Sequence, residues 1–261
     1  MLKDILQTHK QNTILVGKIN RYLISKNGTD ASHFDGTFHP SMATSCKRQL
    51  AYVLLGLNIS NIGAKLRRIF DNGKYYHLRV QKYIKKMSKA GIYGIKLLTT
   101  EERIGPTEDN ISSQPDQTLI IDGLKYVLEL KSINDHGFKE LMGVSEGYTD
   151  QIQLYMHVTG IPRTLVLYEN KNDQEFKEYV ITYDADTVRK ILDKFASVTK
   201  ANKREILPER ECKGEYEYKA KHCNYCSVCF SEANFKDIVK MVKTLREEKE
   251  KRKKDRAKER E

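Results

Sequence analysis

The 261-residue chain has no stretch approaching the roughly 20 consecutive apolar residues that a membrane-spanning helix needs. Its opening residues, MLKDILQTHK, lack the apolar core and small-residue cleavage site of a secretory leader. No internal repeat and no long low-complexity linker is present. These absences argue against membrane proteins, solenoids and extended linkers, and set the expectation of a cytoplasmic protein. Cysteine is scarce: there are five, Cys46, Cys212, Cys223, Cys226 and Cys229. Three of them crowd into CNYCSVC, a C-x2-C-x2-C run, and in a reducing compartment such clustering points to metal ligation rather than disulfides.

Acidic residues are also in deficit, 35 against 46 Lys and Arg, for a formal net charge of +11. A surplus of that size favours an anionic partner such as nucleic acid, and nothing suggests a membrane partner. Part of it sits in the tail MVKTLREEKEKRKKDRAKERE, where ten basic residues face six acidic ones. Past Leu245 the tail has no apolar stripe and reads as a solvated or frayed helix. Hydrophobic residues, at 39%, suffice for a core.

The order of elements follows from the period of the apolar residues. A helix-like pattern over residues 2 to 27 stops near SKNGTD. In FHPSMATSCKRQLAYVLLGL, Ser41 or Ser45 is available to cap a helix. Tyr76, Val80, Tyr83, Ile84 and Met87 recur at helical spacing over roughly 62 to 89. Next, GIKLLTTEERI reads as a strand, and QTLIIDGLKYVLELKS as two strands joined at Asp122-Gly123, a type I′ turn dipeptide. A helix ending at Gly160, two strands around NKND and a helix capped by Asp184 or Asp186 follow. This order predicts an α/β (α+β) fold: a mixed central sheet flanked by helices, with an N-terminal helical region and a C-terminal Cys-rich segment.

VLELKSI places two opposite charges inside an interior strand. Side chains at i and i+2 share a face, so Glu129 and Lys131 project together while Leu128 and Leu130 fill the other side. Burying either charge alone costs several kcal/mol or more, so the two must compensate each other or bind something. Taken alone they read as a structural salt bridge. Asp116 changes that reading: the Asp122-Gly123 turn brings it onto the neighbouring strand near Glu129. Two carboxylates beside a lysine suit a hard divalent cation such as Mg²⁺. The cation would stabilise charge on a phosphodiester, and Lys131 would orient or deprotonate a water.

PD followed by ELK on the next strand resembles the signature of the PD-(D/E)XK nuclease superfamily. The surrounding residues resemble its RecB-like branch. GKYYHLRVQKYI is similar to that branch's His-bearing helix, QIQLY to its Q-x3-Y motif, and HPSMATSCKRQLAY to its segment with Cys between Ser and Arg. The likeness runs from about Phe38 to Phe230. It implies a restriction-endonuclease-like core in which His77, Asp116, Glu129 and the carbonyl of Leu130 hold Mg²⁺ or Mn²⁺. Asp116, Glu129 and Lys131 are then catalytic, and Gln151 and Tyr155 contact DNA or position the site. Asp71 and Asp122 read as surface and turn residues, and Asp150 and Gln153 lie beside the motif without matching it.

A closed tetrahedral site on Cys223, Cys226 and Cys229 needs a fourth thiolate. Cys212 would complete a local zinc knuckle, whereas Cys46 would tie the N-terminal helices to the C-terminal segment. The resemblance favours Cys46. Iron–sulfur members of the branch, the AddB-type recombination nucleases and the CRISPR-associated Cas-four type, hold a [4Fe-4S] cluster on one early and three late cysteines. This chain departs from them in its final x2 spacing, which leaves the choice between Cys212 and Cys229 as a ligand open; four thiolates suit Zn²⁺ as well as iron–sulfur, so Zn²⁺ is the alternative metal.

The expected organisation is an N-terminal helical region (1–92), a nuclease core (93–205), a Cys-rich segment (206–235) and a charged C-terminal helix or tail (236–261). The expected function is a metal-dependent DNA exonuclease in recombination, repair or end processing, of a kind found in phage genomes and beside CRISPR loci. The alternatives are a structure-specific or nicking endonuclease of the same fold, and a non-catalytic nucleic-acid-binding module with a zinc site.

Overall fold

The computed structural model describes residues 14–31 and 36–258. The first half of the helix expected over residues 2 to 27 lies outside them; the rest is α1 (Ile14–Ile24). Two four-residue strands, β1 (Gly28–Ala31) and β2 (Leu57–Ser60), pair antiparallel around α2 (Lys47–Leu54). The first third is thus not all helical. A 3₁₀ turn at Pro40–Met42 takes up Ser41, and the α2 cap is neither Ser41 nor Ser45 but Cys46, whose Sγ accepts from the Gln49 N–H at 3.4 Å.

The long helix α3 (Ala64–Ala90) ends at Gly91, which takes the left-handed conformation that stops a helix at little cost. Then come β3 (Ile95–Thr100), β4 (Gln117–Ile121) and β5 (Leu124–Ile133). Asp122 and Gly123 both have positive φ, +47° and +84°, as a type I′ hairpin requires. A short helix α4 (Asp135–Lys139), not foreseen from sequence, precedes α5 (Glu146–Thr159). After α5 stops at Gly160, β6 (Arg163–Asn170) and β7 (Phe176–Thr182) follow, then α6 (Ala185–Lys203), capped by Asp184 through the N–H groups of Asp186 and Thr187.

The sheet order is β3-β4-β5-β6-β7, all antiparallel except the β5–β6 pair. The parallel pair exists because α5 carries the chain back between those strands. The mixed central sheet flanked by helices is the class the sequence predicts, and it is consistent with a restriction-endonuclease-like core. One sheet face packs on α3 through Tyr76, Val80, Leu119, Leu128 and Leu130. The other packs on α5, where Val127 meets Tyr155, and Val166 and Tyr168 meet Ile152 and Met156.

The Cys-rich segment contributes two single-turn helices, α7 (Tyr218–Lys221) and α8 (Cys226–Cys229), and then α9 (Phe235–Lys258). The first turns of α9 are not a solvated tail: Ile238 and Val242 are buried against Tyr52, Val53, Leu57 and Tyr225. Tyr225 stacks on Tyr52 with ring centroids 5.6 Å apart and donates its hydroxyl to the Leu57 carbonyl at 3.0 Å. The end of the chain is thereby docked on its N-terminal region.

Candidate active site

Pro115 has no N–H to donate to a ladder, and β4 begins only at Gln117, opposite Leu128. Beyond that point the Asp116 side chain does what a backbone would do. Its Oδ2 accepts from the Leu130 N–H at 2.8 Å. The N–H and C=O of one strand residue point to the same edge, so the Leu130 carbonyl also emerges past the end of β4, where it lies against the His77 ring. His77 Nδ1 stands 3.2 Å from the other oxygen of Asp116. The loop between β3 and β4 is held by bridges Phe38–Ile111 and Ile104–Ser113 and by His157 Nε2 on Asp109 at 3.1 Å, which fixes the approach to Asp116.

Glu129, one residue earlier on β5, is 3% exposed. Its Oε1 takes Lys131 Nζ at 2.6 Å and Gln151 Nε2 at 3.2 Å. Its Oε2 is buried without a hydrogen-bond partner, at a cost of about 1–3 kcal/mol. Burial, and then the nearby Asp116 carboxylate, push the Glu129 carboxyl up to about 7 against the pull of Lys131 and His77. Burial works to lower both the Lys131 ammonium and the His77 imidazole, but their carboxylate neighbours outweigh it and hold both above their ordinary values. Lys131 in this state donates hydrogen bonds rather than accepting a proton.

One face of α5 supports this centre. Tyr148, Gln151 and Tyr155 stand at i, i+3 and i+7, so they line up over β5. Gln151 bonds both Glu129 and the Tyr155 hydroxyl, the latter at 2.9 Å, and Tyr155 is buried. Lys131 Nζ sits 4.3 Å from the Tyr148 ring centroid, a cation–π contact. Tyr148 was missed in the sequence, although its helical spacing from Gln151 was there to read. Asp71 pairs with Lys74 on the surface, and Gln153 ties Thr182 to Asp184. Neither belongs to the site.

His77, Asp116, Glu129, Lys131, Gln151 and Tyr155 are therefore brought together, with the Leu130 carbonyl among them. Among the described residues, no three His, Cys, Asp or Glu side chains are arranged as a ready metal cage. Here the reason is visible: Asp116 is turned to His77 and the Leu130 N–H, and Glu129 to Lys131. The donor chemistry nonetheless fits a divalent cation, with a carbonyl, an imidazole and two carboxylates, one of which carries the orphaned buried oxygen.

The five thiols are all partly buried and none is in a disulfide. Cys223 is the common neighbour, close enough to feel the charges of Cys212, Cys226 and Cys229, and Cys46 in turn feels Cys223. Cys212 also lies near Cys229. Burial pushes the Cys46 thiol up, against the pull of the Gln49 N–H at its helix N-terminus. Cys46 and the thiols of the later segment thus lie in one neighbourhood, but among the described residues no three of them are arranged as a ready metal site.

No protein-family model matches this chain, and no curated protein does. Among solved structures it is similar to the protein SSO0001, at 15% identity over 84% of this chain and 95% of that one, with a TM-score of 0.47. An alkaline exonuclease from Laribacter hongkongensis is similar at 15% identity, 72% and 93% coverage and a TM-score of 0.46. A phage-related exonuclease from Haemophilus somnus gives 14%, 60% and 79%, and 0.41. Likenesses of this size leave the chemistry of the site to speak for function.

Proposed function

We propose that this protein is a divalent-metal-dependent deoxyribonuclease of the PD-(D/E)XK type, in its RecB-like branch, that hydrolyses phosphodiester bonds from DNA ends. The observation that carries the reading is the buried, unpartnered oxygen of Glu129 beside Asp116, His77 and Lys131. A salt bridge built for stability would not bury a second carboxylate oxygen with nothing to bind.

His77, Asp116, Glu129 and the Leu130 carbonyl would hold Mg²⁺ or Mn²⁺. Bound there, the cation supplies charge neutralisation at the scissile phosphate and acidifies a water. Lys131 places a positive charge where the phosphorane develops its negative one, and Tyr148 and Glu129 fix its ammonium in position. Gln151 holds Glu129 in its rotamer, and Tyr155 holds Gln151. The net charge of +11 suits a polyanionic substrate. By analogy with the superfamily the products carry 5′-phosphates and 3′-hydroxyls, and the biological setting is recombination, repair or end processing. Four of the five cysteines would hold a [4Fe-4S] cluster, Cys46, Cys223, Cys226 and Cys229 in the first reading, or Zn²⁺ with Cys212 in the second. Its role is structural.

The test is incubation of end-labelled linear DNA and covalently closed circular DNA with Mn²⁺ or Mg²⁺, wild type beside Lys131→Ala. Metal-dependent loss of linear DNA alone, absent in the variant, is the expected result. Cutting of the circle as well converts the reading to an endonuclease of the same fold. Binding of both DNAs with cleavage of neither makes the protein a binding module and the Glu129–Lys131 pair a salt bridge. Gln151→Ala, acting through Glu129, is expected to lower kcat about 10-fold and the melting temperature by only a few degrees, since its hydrogen bonds to Glu129 and Tyr155 are lost. Single-turnover kinetics beside a melting curve separates that positioning role from a folding defect.

A further inference from the structure

The ammonium of Lys131 carries three N–H donors. Glu129 Oε1 takes one at 2.6 Å, and the Tyr148 ring centroid lies 4.3 Å away. The hold of Glu129 weakens when the site is loaded. A carboxylate that binds a cation accepts less strongly from an ammonium, and the same cation repels Lys131. A neutral acceptor on the neighbouring strand would keep the lysine in place through that change.

The sheet register supplies one. In the parallel β5–β6 pair Lys131 stands opposite Tyr168, and residues paired across neighbouring strands point to the same face. Both look toward α5: Lys131 lies under Tyr148, and Tyr168 packs on Ile152 and Met156. The Tyr168 ring is fixed further by Phe138 and by a T-shaped contact with Tyr179, centroids 6.0 Å apart. Its hydroxyl has no such company. Tyr168 is 2% exposed, and its Oη is buried without a hydrogen-bond partner. Buried tyrosine hydroxyls are ordinarily paired, so an unpaired one on a fixed ring marks a place kept for a donor. Burial pushes this hydroxyl above its ordinary pKa, while the Ser145 N–H at the start of α5 and the Lys131 ammonium act to lower it. Both donors are thus in its neighbourhood, and neither closes a hydrogen bond with it.

We propose that Tyr168 is a positioning residue for Lys131, its hydroxyl oxygen accepting an N–H of the ammonium when the carboxylate site is loaded. The proposal rests on the nuclease reading and deepens it. Tyr168 touches neither metal nor DNA and acts only through the lysine. Glu129 holds Lys131 in the empty site and Tyr168 takes over in the loaded one, with the Tyr148 ring facing the ammonium in both. The charge therefore stays where the phosphorane needs it while Glu129 turns to the cation.

Tyr168→Phe removes the hydroxyl and keeps the ring, so the experiment compares it with wild type, Lys131→Ala and the double variant, all as the full chain. In chelator, Tyr168→Phe is expected to melt within about 2 °C of wild type or above it, since an unpartnered buried hydroxyl adds nothing to the fold. Titration with Mn²⁺ in the absence of DNA, followed by the EPR signal of the free ion, is expected to show binding about 5-fold weaker in Tyr168→Phe. On DNA its kcat is expected to fall about 10-fold with KM within twofold of wild type. Added to Lys131→Ala, the change is expected to alter neither Mn²⁺ affinity nor rate, because the hydroxyl has no other route to the site. Mn²⁺ affinity and kcat both within twofold of wild type overturn the proposal alone. So does a loss that adds in full to that of Lys131→Ala, or a melt several degrees below wild type in chelator. Wild type that binds no Mn²⁺ and cleaves no DNA with any divalent metal overturns the nuclease reading, and this proposal with it.

Discussion

Glu129→Gln is expected to reduce metal-dependent DNA cleavage by at least about 10³-fold, because several kcal/mol of transition-state charge stabilisation depend on a ligand that keeps its negative charge. The same substitution is expected to stabilise the metal-free protein at neutral pH. Glu129 is buried, its Oε2 has no partner, and its carboxyl is pushed from 4.5 up to about 7. Between those values the folded chain binds a proton that the unfolded chain has released. The wild-type protein therefore loses stability as pH rises through that window, by up to about 3 kcal/mol, and is at its best below it. Glutamine keeps the shape and the acceptor for Lys131 but has no charge to desolvate. Thermal melts in chelator from pH 4.5 to 8 should show wild type falling relative to Glu129→Gln, with the curves meeting at the acid end. A variant that still cleaves within tenfold of wild type would take Glu129 out of the reaction and leave VLELKSI a salt bridge.

On the proposed thiolate site, Cys223→Ala is expected to lose the metal group and to lower the melting temperature by at least about 10 °C. Structural thiolate sites contribute on the order of 10–16 kcal/mol of apparent binding free energy, and each kcal/mol is worth about 2–4 °C in a chain of this size. Cys223 is the most damaging choice because three other thiols of its own segment lie close enough to act on it, and Cys46 from the other end of the chain feels it too. The two readings of the fourth ligand then separate cleanly. Whichever of Cys46→Ala and Cys212→Ala keeps full metal content and melts within about 2 °C of wild type is not a ligand. A visible absorption band in anaerobically purified protein assigns iron–sulfur, and zinc by elemental analysis assigns the alternative. Metal retained in full by Cys223→Ala would remove that residue from the ligand set.

What the sequence reveals about the fold is mostly what local chemistry dictates. Asp122-Gly123 marks a hairpin because both positions need positive φ, Gly160 stops α5, and Asp184 caps α6. The i, i+2 rule then places Glu129 and Lys131 on one face, and the hairpin register delivers Asp116 to them. Elements made by distant partners were not readable. GTDA and LNIS are too short and too polar to show a strand pattern, and they pair only because tertiary packing brings them together. The cap of α2 was misread because a cysteine did the work expected of a neighbouring serine. The buried start of α9 was hidden by the charge density of the segment that follows it. Tyr148 escaped notice because a tyrosine three residues from a motif is ordinary until the fold sets it above Lys131.

The docking of α9 on the first third of the chain also bears on how the protein is made. Leu57 and Ile238, about 180 residues apart in sequence, share one apolar cluster. A ribosome adding about 5–20 residues per second needs on the order of ten seconds or more to deliver the second after the first. Through that interval Tyr52, Val53 and Leu57 wait without the helix that covers them. This apolar face is therefore open to chaperones until α9 has been made, and it matures late although its own residues are made well before.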